Sequence, residues 1–545
     1  MSSISFPLQQ RTIGQVLARQ AEQLGSKVFL SFVPDGRTFT YRDLDLLSNR
    51  LASGLLANGV SKGAHVAVMM ENSPEQLLLY FALGKLGAVV VPVNTAARGS
   101  QLRHLVNLSD ATVLVVDAAL QESFTGTDNA APLALKSIIV LGEGPSPVAS
   151  PWPEAACISF AELEQHGDSP IDSQVRFTDL AFLSYTSGTT GPSKLNMYPH
   201  AHCLGYAANN AQEHDYRPED IAYVCLPMFH VSALFGVTYA AMLAGASVVM
   251  TRRFSMSRFW PDIRDYKVTL CNALGAMSDI IMNQPPSSDD RAHSLRLCRM
   301  VPVPRYGSEF EARFGVKIVS GYGLSDFGQI AAFTAADPRS KLGSAGRPRR
   351  GIELRIVDED DLDMPSGQPG EIVVRSNNVW NTSQGYYKMP EATLAAMRNM
   401  WFHTGDLGYL DADGYLQFVG RKKDAIRRRG ENISCAEVEQ AIASHPAVGE
   451  VAVYAITAEL SEEEVAASIV CKPGHTLTEM ELLEFCSKNM AYYMVPRFVR
   501  LVDDLPRTLS HRVQKFKLVE QAQADLASMF DREKSGIVLR RPGAR

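Results

Sequence analysis

Helix and buried strand alternate through the first third of the chain, and that alternation restricts the fold more than any other feature. In YRDLDLLSNRLASGLLANG, Leu44, Leu47, Leu51 and Leu55 fall at helical spacing, and the pattern stops at Asn58-Gly59, a helix C-terminal signal. HVAVMM then reads as a buried strand. Ser73-Pro74 predicts a capped helix start, that helix ends near Gly87, and AVVVPV follows as the next strand. ATVLVVD and SIIVLG repeat the short Val/Ile run. Alternation of this kind predicts an α/β architecture whose parallel sheets are covered on both faces.

The texture changes after about Leu342. ELRIVDEDDLDMPSGQPGEIVVRS and YLDADGYLQFVGR read as strand, acidic or glycine-rich turn, strand, which predicts antiparallel β structure. From Asp424 onward a helix (CAEVEQAIASH), two strands (GEVAVYAI, ASIVC), a second helix (EMELLEFCSKN) and a last strand (RFVRLVD) form a small α/β unit. At 545 residues the chain is too long for one core. We place the boundary near Lys423, dividing residues 1–422 from residues 423–545. The basic run RKKDAIRRRG beside it, including Arg427, Arg428 and Arg429, reads as a solvated helix face.

Charge and composition exclude several classes of function. Lys and Arg total 53 against 59 Asp and Glu, a net charge of -6, so nothing general draws the chain to nucleic acid or an anionic membrane. MSSISFPLQQRT lacks the basic and apolar regions of a secretion signal, and the apolar run GVTYAAMLAGASVVM is glycine-broken and shorter than the ~20 residues that span a bilayer. The eight cysteines include no C-x-x-C pair. Reduced core thiols in a soluble cytoplasmic protein are the expectation.

SYTSGTTGPSK, Ser184 to Lys194, is the stretch richest in chemistry. Glycines let backbone N–H groups approach an anion, the hydroxyls add donors, and lysine adds compact positive charge. The loop follows the apolar DLAFLSY and would sit at a strand's carboxyl end, where α/β sheets commonly bind ligands. Gly188, Gly191 and Lys194 do not have the spacing of a G-x-x-x-x-G-K-S/T P-loop. Taken alone, the stretch is either a phosphate-binding loop or a polar turn.

Three further segments occur with it: GYGLSD at Gly321 to Asp326, WFHTGDLG at Trp401 to Gly408, and GRKKDAIRRRGENIS at Gly420 to Ser434. In order and separation the four resemble the adenylate-forming superfamily of acyl-CoA synthetases, luciferases and peptide-synthetase adenylation domains, over nearly the whole chain. RRRGENISCAEVE and MVPRF are most similar to its crotonobetaine/carnitine-CoA ligase branch. The resemblance implies a large N-terminal part of two α/β subdomains plus a β subdomain, and a small mobile C-terminal α/β domain. It implies two steps in one site. ATP and a small-molecule carboxylic acid give an acyl-adenylate and pyrophosphate, then a thiol, usually that of coenzyme A, displaces AMP; the alternatives are another thiol or amine acceptor, or a degenerate relative that binds nucleotide or acyl ligand with weak turnover. It also leaves a homodimer open.

Such chemistry needs positioning and charge neutralisation rather than a protein nucleophile. By resemblance, Thr186, Ser187, Gly188, Thr189, Thr190, Gly191 and Lys194 cradle the β- and γ-phosphates. Tyr322 flanks the adenine, Gly323 belongs to the same ATP/AMP site, Ser325 contacts the α-phosphate and Asp326 helps hold Mg2+. The family usually has threonine and glutamate at the last two positions. Aspartate is one methylene shorter, which magnesium tolerates because it readily retains waters. Asp406 accepts hydrogen bonds from the ribose, Arg421 contacts ribose or phosphate, Lys423 is the hinge, and Gly430 lies on the pantetheine path. His230, ending PMFH, and Gly275, in CNALGAM, match the acyl pocket, with His230 either a pocket gate or a structural histidine. PHAH at Pro199 to His202 is a poor zinc site, its two histidines lacking a nearby partner.

One departure stands out. In LPRTLSHRVQK the family's catalytic lysine is replaced by Arg512 and the glycine before it by His511. The positive charge survives, but a planar guanidinium does not substitute simply for a compact ammonium in a close three-way contact.

Overall fold

The computed structural model describes residues 6–124, 134–142, 155–185, 194–274, 276–421, 425–428, 431–457, 463–506, 513, 515–537 and 539. Local signals act where the sequence places them. Thr40 and Asp43 form a reciprocal capping box at the start of the helix Tyr41–Ala57, whose Leu44, Leu51 and Leu55 are buried. Ser73 caps Pro74–Leu86, and Gly87 ends that helix at φ 70°, a conformation costly for residues with a Cβ. This second helix is apolar all round and buried all round.

Its neighbours form two large sheets. One has seven strands, among them His65–Met69, Val89–Pro92 and Val113–Asp117, and is parallel except for the antiparallel pair Leu180–Tyr185 and Leu195–Pro199 at one edge. The other has nine, with Ile221–Val224, Leu270–Leu274, Leu297–Val301 and Lys317–Leu324 parallel at its centre. The helix His200–Glu213 lies between the sheets. Its Leu204, Ala207 and Ala211 share one core with Val90 and Phe182 of the first sheet and Leu270, Leu297 and Val319 of the second. Asn72 ties the sheets together: its Nδ2 donates to the Leu226 and Thr251 carbonyls at 2.9 and 3.2 Å, and its Oδ1 accepts from the Met228 N–H at 2.8 Å. The PMFH segment is thereby fixed over the junction.

The β texture after Leu342 becomes a four-stranded antiparallel sheet, Ile352–Val357, Gly370–Ser376, Phe402–Leu410 and Leu416–Arg421. Beyond it come the hairpin Ala425–Arg428 and Glu431–Ser434, then a second four-stranded sheet flanked by the helices Cys435–Ala443 and Glu479–Asn489. Lys423, the expected hinge, lies outside the described residues. No helix among the described residues is long and apolar enough to cross a membrane.

The basic run corrects the sequence reading. Arg427 and Arg428 are in a strand, not on a solvated helix face, and Arg429 lies outside the described residues. Strand alternation sends Ile426 and Arg428 inward together, and Arg428 is only 2% exposed. Its Nε lies 2.6 Å from a Glu464 oxygen and its Nη1 donates to the Tyr493 carbonyl at 2.9 Å. A buried guanidinium is tolerable when its charge is answered in this way.

Candidate functional site

Strand ends and two turns build the site. Lys317–Leu324 stops just before Ser325, and the chain returns antiparallel at Gly328. Tyr322, on the face of this strand that meets the antiparallel sheet, donates its hydroxyl to Asp406 Oδ2 at 2.6 Å. The two residues are 84 positions apart, and the carboxylate they share is 1% exposed. A carboxylate has several acceptor positions, so accepting from Tyr322 is compatible with accepting from other hydroxyls too. Arg421 is paired with Asp406 in the strand register, and Gly323 with Gln329. The Phe418 ring stands tilted beside Tyr322, centroids 6.0 Å apart.

The turn at Ser325-Asp326 is held from the neighbouring sheet. The Tyr198 hydroxyl donates to the Ser325 carbonyl, and the Tyr386 hydroxyl donates to the Asp326 carboxylate. Burial first and then Asp326 push the Tyr386 phenol well above its ordinary pKa. Lys194 Nζ lies 4.4 Å from the centre of the Tyr386 ring, so cation and carboxylate contact the same tyrosine. Residues 385–387 pair with the strand Leu195–Pro199 through Met197 N–H to Gly385 O at 3.0 Å and Tyr387 N–H to Leu195 O at 2.8 Å. Lys194, Ser325 and Asp326 are therefore brought together. Thr186, Ser187, Gly188, Thr189, Thr190 and Gly191 lie outside the described residues.

His230 precedes the short helix Val231–Ala233 and a π-helical turn, Leu234–Tyr239. Its Nε2 is 3.2 Å from Glu431 of the small domain's hairpin. Burial pulls the imidazole pKa down, but the Glu431 carboxylate outweighs that, and the net direction is upward. Hydrogen bonds among the described residues also join the domains: Arg427 Nη2 donates to the Val301 carbonyl at 2.9 Å, and Asn94 Nδ2 donates to the Tyr493 hydroxyl at 2.8 Å. Gly275, Gly430 and Arg512 lie outside the described residues. His200 and His202 are buried, with pKa values pushed down to about 4 by desolvation. His200 Nδ1 accepts from the Ile13 N–H, a structural use of the ring.

Asp326 fits a hard cation, being a carboxylate that contacts the same tyrosine as Lys194. Among the described residues no group of three His, Cys, Asp or Glu could hold a metal, so a cation here would bring most of its ligands as phosphate oxygens and water. Sequence reasoning missed Tyr198, Tyr386 and Glu431. Tyr198 did carry a signal, sharing a strand face with Lys194 through alternation. Tyr386 carried none.

Comparison with known proteins places the chain among enzymes of one kind. The AMP-binding enzyme family matches residues 17–387, and the AMP-binding enzyme C-terminal domain matches residues 437–512. A crotonobetaine/carnitine–CoA ligase of Citrobacter koseri is 32% identical over 91% of this chain and 97% of its own. A double mutant of o-succinylbenzoate CoA synthetase from Bacillus subtilis, bound to the product analogue OSB-NCoA, is 26% identical with a TM-score of 0.79, covering 93% of this chain and 98% of its own. The same synthetase in complex with AMP, also 26% identical, has a TM-score of 0.65 over 92% of this chain and 97% of its own.

Proposed function

The chain belongs to the AMP-binding enzyme family, and from that premise we infer how its residues carry out ATP-dependent ligation of a carboxylic acid to coenzyme A through an acyl-adenylate. The hydrogen bond from Tyr322 to Asp406 is the observation that carries the assignment, because it joins two distant motifs into one pocket wall. In this reading Tyr322 and Gly323 flank the adenine while Asp406, with Arg421, holds the ribose. Lys194 and residues 186–191 hold the β- and γ-phosphates. Ser325 contacts the α-phosphate, and its turn is fixed by Tyr198.

The substrate carboxylate attacks the α-phosphorus and pyrophosphate leaves. Charge accumulates on phosphate oxygens in that step, so fixed cations and donors lower the barrier more than any proton transfer would. Mg2+ would be held through Asp326 and would supply further neutralisation of the phosphates. We assign Arg512 to the bridge between carboxylate and adenylate, with slower adenylation than a lysine would give. In the second step the thiolate attacks the acyl carbon and AMP departs.

Of the two Bacillus synthetase structures, one holds a coenzyme A product analogue and the other AMP. They are one protein, with coverage of this chain nearly equal, yet the TM-scores differ by 0.14, from 0.79 to 0.65. We take this chain to have the domain arrangement of the coenzyme A step. The Glu431 hairpin against His230 and Gly430 on the pantetheine path follow from that arrangement, and Lys423 serves as its hinge.

The test is pyrophosphate release with Mg2+ and ATP across short, branched, aromatic and betaine-type acids, with and without coenzyme A. The Citrobacter relative's name puts crotonobetaine and carnitine in that panel. One acid giving both pyrophosphate and its CoA thioester supports the reading. ATP binding without release by any acid would favour a degenerate relative that holds nucleotide without turnover. The eight free thiols suit a reducing, cytoplasmic setting.

A further inference from the structure

A second polar cluster lies behind the reacting turn. Gln329, three residues after Asp326, donates from Nε2 to Asn210 Oδ1 at 2.8 Å and accepts from Arg349 Nη1 at 3.0 Å. Arg349 in turn donates to Glu213. Asn210 is fully buried, Arg349 is 7% exposed, and both face the space between the helix His200–Glu213 and the nine-stranded sheet.

Two more side chains point into the same space. Leu270, Leu297 and Val319 pack on that helix, whereas Cys271, Cys298 and Ile318 belong to the core on the sheet's other face. Alternation therefore turns Asn272 and Arg299 toward the helix, and the register sets them side by side. Arg299 acts electrostatically on Glu213, His214, Tyr216 and Arg349. Yet among the described residues it has no hydrogen bond. Its Nε is buried without a partner, as are Asn272 Nδ2 and Glu213 Oε2. Burying donors unmet is expensive unless something else meets them.

One strand face runs between there and the turn. Val319, Gly321 and Gly323 occupy one side of their strand, opposite Tyr322; a Cβ at Gly321 or Gly323 would come within 2.7 Å of the carbonyls of Ala331 or Gly328 on the returning strand, so both positions require glycine. Val319 is level with Arg299 and four residues from Gly323, ~13 Å along the strand. On the helix side, a Cβ at Gly236 would come within 3.5 Å of Tyr206 and 3.7 Å of Asn210. Small residues thus border the same lane from two directions.

We propose that this lane receives the tail of the carboxylic acid substrate, and that Arg299 with Asn272 binds a second carboxylate at the tail's far end. The inference rests on the ligase reading above. Charge decides the class: Glu213 answers Arg349, His214 is kept neutral by burial and by the two arginines, and Arg299 is left as the cation in excess. A quaternary ammonium is repelled there. A dicarboxylic acid satisfies the buried donors.

The experiment compares three acids of matched length: a dicarboxylate, its monomethyl ester, and an acid ending in a trimethylammonium group. Binding is read by calorimetry in the presence of AMP, and turnover by pyrophosphate release, with Arg299→Met and Asn272→Asp alongside the wild type. ATP-dependent thermal stabilisation checks folding of each variant. The wild type is expected to favour the dicarboxylate at least tenfold over the ester, and both variants to bring that ratio close to one. No preference in the wild type, preference for the trimethylammonium acid, or an unchanged ratio in both folded variants would overturn the inference. Selective dicarboxylate binding without pyrophosphate would retain this site and sink the ligase reading. Turnover of monocarboxylates alone would do the reverse.

Discussion

Arg428 in the small domain is buried and Arg299 in the large one is partly buried, and their surroundings differ. Glu464 and the Tyr493 carbonyl receive Arg428, and Glu533, Arg497 and Asp531 extend the network. Among the described residues nothing comparable receives Arg299, which lies on the helix-facing side of its strand, level with Val319. The contrast separates a charge kept for the fold from one kept for a ligand. The first is answered from within the chain; the second is answered by the substrate.

The largest expected effect tests that contrast directly. Arg428→Met leaves Glu464 buried with its main partner gone and should cost the small domain about 3 kcal/mol, read as a lowered transition in scanning calorimetry. Arg299→Met should leave the melting transition within about 0.5 kcal/mol of wild type or raise it. Equal losses in the two variants would erase the distinction.

Asp406 sharpens it from another side, as a buried carboxylate in the large domain assigned to function. Asp406→Asn should lower kcat/KM for ATP about 100-fold, some 2.7 kcal/mol, while shifting stability less. Tyr322→Phe, which removes only the shared hydrogen bond, should cost about tenfold. If Asp406→Asn instead unfolds the protein at normal temperature, the residue belongs to the fold. Arg512→Lys is the counterpart in the small domain and should speed adenylation severalfold, about 1 kcal/mol, in single-turnover measurements with thioester formation unchanged. An equal or slower adenylation rate would remove Arg512 from the proposed bridge.

The smallest effect spans the two domains. Glu431 raises the His230 pKa above its ordinary value of 6.5. The stabilisation of the docked arrangement by this pair is therefore full below that value and fades as pH rises through the raised one. Half-exposure limits the pair to less than about 1 kcal/mol. Domain separation followed by fluorescence transfer should increase across that window in the wild type and stay flat in Glu431→Gln. A pH response that persists in the variant would assign it to another group.

Much of this was legible in sequence because the determinants are local. The capping of Tyr41–Ala57 and Pro74–Leu86 involves residues a few positions apart, and so does the alternation of buried strands. Tyr322 and Asp406 were legible as motif positions, although no spacing argument shows that they touch. Arg428 was misread because RKKDAIRRRG has too few apolar residues to reveal a period, and Glu464 and Glu533 lie far along the chain. Tyr386 and the Asn210, Gln329, Arg349 and Glu213 chain escaped for a related reason. Each of those contacts is made by tertiary packing between segments that carry no mutual signal.

The ligase assignment itself is tested most directly by radiolabelled ATP and a responsive acid, followed through one turnover with and without coenzyme A. The account predicts an enzyme-bound acyl-adenylate and one equivalent of pyrophosphate without coenzyme A, then conversion to acyl-CoA and AMP when it is added. Release of ADP and phosphate, or AMP formation that does not depend on the acid, would contradict it.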